Sequence, residues 1–343
     1  MRYDDAVRSI WRHPELARAD GSVRPDPDQL RELVRLATLA PSSHNTQCWR
    51  FALADRSISI LPDWSRRCPR VDPDDHHLFV SLGCALHNLV EAAAAAGFVA
   101  EPTPARLPEA IVTLALLPSR PVASPSFMAI TERQCTRADY DGRPLGNDEL
   151  GKLQAAGTGK GVHVILLTDR AAMEHVLELV VAGNTTQLRE PAFKRELKSW
   201  VRFNDAEALR RGDGLSARCM GNPSIPSWMG RALFGVLVRA RQENDKVARH
   251  IRSSAGIAVF CSDIDDRAHW IESGRCYQRF ALLATALGIR NAFVNQPVEV
   301  ASIRAAFAQA SGCGAGRPDL VVRFGRGSLM PRSLRRPVEA VVV

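Results

Sequence analysis

The stretch Ala40-Pro41-Ser42-Ser43-His44-Asn45-Thr46-Gln47-Cys48-Trp49-Arg50-Phe51 decides how the rest of the chain is read. Before it, Pro27 to Ala40 sets Leu30, Leu33, Val34 and Ala37 on one face at helical spacing, and Pro41 stops that helix. Ser42 to Gln47 is a polar loop. Trp49 to Leu53 and, after Asp55-Arg56, Ser57 to Leu61 then predict two short strands joined by a turn.

Working outward, apolar residues recur at three and four from His77 to Gly97, which predicts a long helix, and Ile111 to Leu117 predicts another strand. The same order restarts after the proline-rich connector Pro118 to Pro125. Asn147 to Ala156 reads as a helix capped by Asn147. Val162 to Leu167 and Gly256 to Cys261 read as strands, Trp270 to Gly288 as the second long helix and Leu320 to Phe324 as the last strand. Aligned by element, Ser81-Leu82-Gly83-Cys84 falls on Ser273-Gly274-Arg275-Cys276, and Ala96-Gly97 on Leu287-Gly288. The chain thus reads as an internal duplication with halves at 1–125 and 126–343. Between its first two strands the second half inserts about 170–254, with helical stretches around Met173 to Val181 and Pro191 to Phe203, whose length and periodicity suit a lid.

Composition narrows the function classes. Of 343 residues, 45% are hydrophobic and 24% charged, which fits a folded protein large enough for two units. The charged start Met1-Arg2-Tyr3-Asp4-Asp5 is unlike an export signal, and Leu89 to Ala100, interrupted by Glu91, is too short to span a bilayer. A cytoplasmic protein without a membrane segment is expected. Its eight cysteines form no CxxC pair, so neither a metal site nor a disulfide framework is expected, and His76-His77 reads as a solvated loop. The net charge of +8 calls for an anionic partner. No helix-turn-helix, zinc finger or RNA-binding signature accompanies it, so nucleic acid is not that partner.

Ala40 to Phe51 resembles the A-P-S-S-x-N-x-Q-P-W signature of FMN-dependent nitroreductases, with Cys48 in place of proline. Arg133-Gln134-Cys135-Thr136-Arg137 resembles that family's phosphate-binding R-x-S-x-[RK] element, with Cys135 in place of serine. Gln296-Pro297-Val298-Glu299 and the tail Pro331 to Pro337 also fall where the family has them. The resemblance covers most of the chain from Leu30 onward, and its pattern is similar to the fused, Acg-like branch. It implies an α+β nitroreductase-like fold in which two degenerate halves of one chain replace the usual homodimer, so that a monomer suffices.

In the family each flavin lies between two subunits. Here the first half keeps the P-S-S-x-N loop and the second the paired arginines, while Gly157-Thr158-Gly159-Lys160-Gly161 stands where a second loop would be. One composite FMN site follows. The resemblance assigns cofactor contacts to Ser42, Ser43, Asn45 and Gln47 on one side and to Arg133, Gln134, Cys135, Arg137, Pro297, Glu299, Arg332 and Arg335 on the other, with Arg133 and Arg332 as first choices for the phosphate. Arginine forks suit a phosphate dianion through charge-assisted hydrogen bonds. No side chain is assigned a catalytic role, and His44 reads as a loop residue. The implied activity is NAD(P)H-dependent reduction of nitro compounds or quinones. The alternative is an FMN-sequestering protein whose lid prevents turnover.

Overall fold

A computed structural model describes residues 2–14, 16, 25–103, 107 and 109–343. The first half begins with helices α1 (Tyr3–Ile10) and α2 (Pro27–Thr38), followed by the β1 (Trp49–Ala54) and β2 (Ser57–Pro62) hairpin. Helix α3 (His76–Ala95) leads into β3 (Phe98–Thr103) and β4 (Val112–Pro118). These strands form an antiparallel sheet in the order β1-β2-β4-β3. Strand β3 is not evident in the sequence because Glu101 and Pro102 disguise it. It lies at the sheet edge, where proline's missing N–H is tolerated.

Helix α4 (Pro125–Ala129) spans the junction between the halves, and in the second half α5 (Asn147–Ala156) precedes β5 (Val162–Leu167). After an insert come β8 (Gly256–Ser262), α12 (Arg267–Ala286), β9 (Arg290–Phe293), α13 (Gln296–Glu299), α14 (Ala301–Ser311) and β10 (Arg317–Gly325). The second sheet, also antiparallel, runs β5-β8-β10-β9, the order of the first. Asn147 is not the cap of α5. Gly146 holds that position, and its N–H donates to the Glu149 carboxylate at 3.2 Å.

The insert contains α6 (Arg170–Arg189), α7 (Pro191–Trp200), α8 (Asp205–Arg211), α9 (Ala217–Met220), α10 (Ser227–Leu237) and α11 (Ala240–Arg252). A two-stranded ribbon of β6 (Val201–Arg202) and β7 (Leu215–Ser216) lies among them.

Helices α3 and α12, 20 residues each, cross at the centre of the molecule. A Cβ on Gly83 would stand 2.0 Å from the Ile271 carbonyl oxygen, and one on Gly274 would stand 2.0 Å from that of Val80. The contact is reciprocal, so Gly83 corresponds to Gly274 and the alignment read from the sequence slips by one residue at this point. Alongside, the Gln278 amide donates to Asn88 Oδ1 at 2.7 Å. One hydrophobic core runs through both halves, with Leu33, Phe51 and Leu82 from the first and Phe260, Phe280 and Phe324 from the second. By length and composition α3 could cross a membrane, but it is largely buried inside the protein.

The chain end ties the halves together. Phe51 donates to the Val341 carbonyl at 2.8 Å and Val343 donates back to Phe51 at 2.9 Å, covering the exposed edge of β1.

Two sequence expectations fail here. Cys261 and Cys313 form a disulfide, because β8 and the turn after α14 bring together cysteines 52 residues apart, a spacing that carries no local signature. His76 and His77 are buried, not solvated. They open α3, where Asp72 accepts both the His77 and Leu78 N–H groups at 2.9 Å, and His76 Nε2 lies 2.8 Å from Asp319.

Candidate functional site

Pro41 to Gln47 turns sharply between α2 and β1, with His44, Asn45 and Gln47 at φ of 48°, 53° and 54°. Left-handed backbone at a non-glycine residue costs roughly 1–3 kcal/mol and persists only where surrounding contacts hold it. The contacts here are specific. Asn45 donates to the carbonyls of Gly214 at 3.1 Å and Leu334 at 3.3 Å, and its Oδ1 accepts from Arg335 at 3.1 Å. Gln47 donates to the Gly212 carbonyl and accepts from the Arg336 N–H, both at 2.8 Å. These two amides therefore knit the first half to the insert and to the tail.

Above this loop lies a continuous cleft in two parts. A narrow throat of about 70 Å³ is lined by Ser42, Asn45, Arg133, Gln134, Cys135, Arg137, Ser333 and Arg335. It shares Pro41, Ser42, Arg137, Leu215 and Phe293 with a chamber of about 250 Å³ that also reaches Ser43, His44, His77, Gln296 and Glu299. Insert residues Asn184, Gln187, Leu188, Phe193, Leu197, Val238 and Glu243 wall the chamber.

The throat is electrostatically incomplete. Arg133 is 2% exposed and donates through Nη2 to the Leu39 carbonyl at 3.0 Å, while its Nε and Nη1 have no partner among the described residues. Arg335, 5% exposed, donates to the carbonyls of Thr38, Leu39 and Ala40, closing the C-terminal end of α2 where a cation opposes the helix dipole. Burial, with the Arg133 charge second, lowers the Arg335 guanidinium to about 9. Neither arginine pairs with a carboxylate among the described residues. Two buried cations without a counter-charge are costly and call for an anion between them. Half-buried Arg137 makes no hydrogen bond or ion pair among the described residues and faces both compartments.

Of the residues singled out from sequence, Ser42, Asn45, Arg133, Gln134, Cys135, Arg137 and Arg335 converge on the throat, and Ser42, Ser43, Arg137 and Glu299 on the chamber. Three lie elsewhere. Gln47 is buried beneath the loop, and Pro297 is buried in α13. Arg332 pairs with Glu132 at 2.6 Å and lies over the Trp11 ring, outside the lining of both compartments. Gln134 Oε1 accepts from the Met330 N–H at 2.8 Å and so fixes the tail beside the throat.

The chamber holds polar groups that the sequence reading passed over. His44 Nδ1 and Gln296 Oε1 are buried without partners among the described residues, although from sequence His44 reads as an ordinary loop residue. Burial, reinforced by the Arg137 charge, lowers His44 to about 4, so it is neutral near pH 7. Glu299 accepts from Gln187 at 2.7 Å and lies 3.6 Å from His77 Nε2. Burial raises the Glu299 carboxyl and lowers the His77 imidazole. Nothing local in the sequence marks His44 or Gln296, because their significance lies in what surrounds them in the folded chain.

In the second half the corresponding corner is closed. Arg279 donates to the carbonyls of Ala156 and Thr158, both at 3.0 Å, and a Cβ on Gly159 would collide with the Glu272, Cys276 and Arg279 side chains.

The molecule is thus α+β, with two sheets of the same strand order and a basic throat leading into a walled chamber. No protein-family model matches the chain. Over 332 residues, 93% of this chain and 92% of the relative, it is 27% identical to the Mycobacterium tuberculosis H37Rv protein named "Putative NAD(P)H nitroreductase Rv3131". Over 329 residues, 92% and 95% of the two chains, it is 23% identical to "Putative NAD(P)H nitroreductase acg" of the same strain. By sequence, then, the chain is similar to these proteins along nearly its whole length. Among solved structures it has slight likenesses to a nitroreductase with bound FMN from Bacteroides fragilis (14% identity, 62% of this chain and 94% of that one, TM-score 0.38). The FMN-dependent nitroreductase NfnB from Mycobacterium smegmatis, in complex with NADPH, is similar to the same degree (15%, 61% and 94%, TM-score 0.37).

Proposed function

We propose that this chain is an FMN-binding oxidoreductase that uses NAD(P)H to reduce nitro compounds or quinones at one composite site between halves 1–125 and 126–343. We further propose that these halves descend from a duplication, so that a single chain supplies both sides of the cleft. The observation that carries the reading is Arg133, whose two free guanidinium donors sit buried in a throat beside Arg335 with no carboxylate among the described residues to neutralise either.

A phosphate monoester fits that need, because its oxygens accept charge-assisted bonds and its charge offsets the buried cations. Arg133 would hold the FMN phosphate, with Ser42 and Ser333 adding hydroxyl groups at the throat. Arg137, shared by throat and chamber, would place positive charge beside the ring system and favour its reduced, anionic form. When bound, FMN supplies two-electron transfer from nicotinamide to acceptor. Around it the protein orients, excludes water and offers neutral His44 and Gln296 as hydrogen-bonding groups in the chamber.

A second reading is supported by the insert. Because α6, α7 and α11 contribute chamber walls, the lid could hold FMN without admitting a nicotinamide. Anaerobic addition of NADH or NADPH to the yellow holoprotein separates the two: bleaching supports the reductase, and bleaching by dithionite alone supports sequestration. A protein that binds no FMN at all removes both.

A further inference from the structure

Helix α10, Ser227-Trp228-Met229-Gly230-Arg231-Ala232-Leu233-Phe234-Gly235-Val236-Leu237, is apolar around almost its whole circumference, yet only Gly230 and Phe234 are buried. They pack on Phe203, whose ring stands edge-on to Phe234 and fills the space beside Gly230. Much of the rest of the helix is open, from beside Gly230 round to the opposite side: Leu237 is 47% exposed, Leu233 43%, Val236 55% and Trp228 74%. A helix that is apolar all round is normally buried or in contact with lipid, and such a cluster on a soluble surface marks an interaction site.

Charge identifies the occupant. Residues 191–250 contain twelve Lys and Arg against six Asp and Glu, which accounts for most of the net charge of +8. Lys194, Arg195 and Lys198 on the neighbouring α7, and exposed Arg239 and Arg241 just after α10, make no ion pair among the described residues. A second copy of this chain would bring the same positive surface against itself. An anionic lipid surface complements both the apolar side chains and the charges around them. We propose that α10 docks this protein onto an anionic bilayer, with Trp228, Leu233, Val236 and Leu237 entering the boundary between headgroups and acyl chains. The sequence excluded a spanning segment at Leu89 to Ala100. An interfacial helix is a different arrangement, and it does not depend on the flavin reading. Val238, next after α10, lines the chamber, so docking would present the chamber's edge to molecules dissolved in the membrane.

The test is co-sedimentation of the full chain with phosphatidylcholine vesicles with and without phosphatidylglycerol. The expected result is binding to the anionic vesicles at least about tenfold stronger than to pure phosphatidylcholine, and largely lost at roughly 0.5 M salt. Trp228→Ser combined with Leu237→Glu, both at exposed positions, should abolish it while leaving circular dichroism and melting temperature unchanged. Absence of vesicle binding, or equal binding by that variant, would overturn the proposal. So would a concentration-dependent dimer in light scattering that the same variant dissolves, because the apolar face would then belong to a second copy.

Discussion

Replacing Arg133 with alanine should weaken FMN binding while leaving the apoprotein as stable as before, or more so. Two guanidinium donors, Nε and Nη1, are buried without partners, and one, Nη2, serves the Leu39 carbonyl. If both free donors take phosphate oxygens at about 1.5–3 kcal/mol each, the loss is about 3–6 kcal/mol, or some two to four decades in Kd. In the apoprotein the same substitution removes a buried cation that no carboxylate offsets among the described residues. That relief opposes the loss of the Leu39 contact, worth about 1 kcal/mol, and the void left by the side chain. Fluorescence titration with FMN gives the first quantity and chemical denaturation without FMN the second. Unchanged affinity would refute the assignment of the throat. Loss of several kcal/mol from the apoprotein would show instead that Arg133 serves the fold.

Arg332→Ala, at a residue engaged with Glu132 and Trp11, should change FMN affinity less than about threefold, corresponding to under 1 kcal/mol; a hundredfold loss measured by the same titration would return it to the site. Gly83→Ala should lower stability by roughly 1–3 kcal/mol, since the new methyl meets the Ile271 carbonyl, whereas Gly151→Ala, inside α5 with nothing within 4 Å, should raise it by about 0.5–1 kcal/mol. Thermal melts decide both, and an undisturbed Gly83→Ala protein would mean the helices do not cross there. His87 is lowered to about 3 by burial, followed by the charges of Arg279 and Arg275. Its folded value lies below the unfolded one near 6.5, so its contribution is fully present above pH 6.5 and is lost as pH falls toward 3. His87→Gln should therefore flatten the loss of stability between pH 7 and 5 by about 2 kcal/mol, at 1.36 kcal/mol per unit for one proton. Equal slopes in denaturation at the two pH values would count against a buried neutral imidazole.

Most of the architecture was legible because it rests on local periodicity. The long helices and six of the eight strands in the two main sheets can be placed within a few residues from apolar spacing and turn residues alone. β9 and β3 escape that reading. β3 escapes because a short edge strand can carry Glu101 and Pro102 without burying a continuous face. At the site, the loop Pro41 to Asn45 and the pair Arg133 and Arg137 were visible as motifs. Their motif neighbours were less well resolved, because a motif names side chains without saying which way they point. Arg332 and Arg335 are three residues apart in an irregular tail and both lie over Trp11, yet one pairs with Glu132 and the other reaches the end of α2. His44 and Gln296 acquire meaning only from lacking a partner in the folded chain. The disulfide and the buried His76 likewise depend on contacts across long stretches of sequence, between Cys261 and Cys313 and between α3 and Asp319.

The central claim is one flavin site per chain, open between the halves and closed at the Gly157–Gly161 corner. Titrating the apoprotein with FMN and following the quenching of flavin fluorescence measures the number of sites directly. One FMN bound per chain is the predicted result. Two equivalent sites, or none, would contradict it.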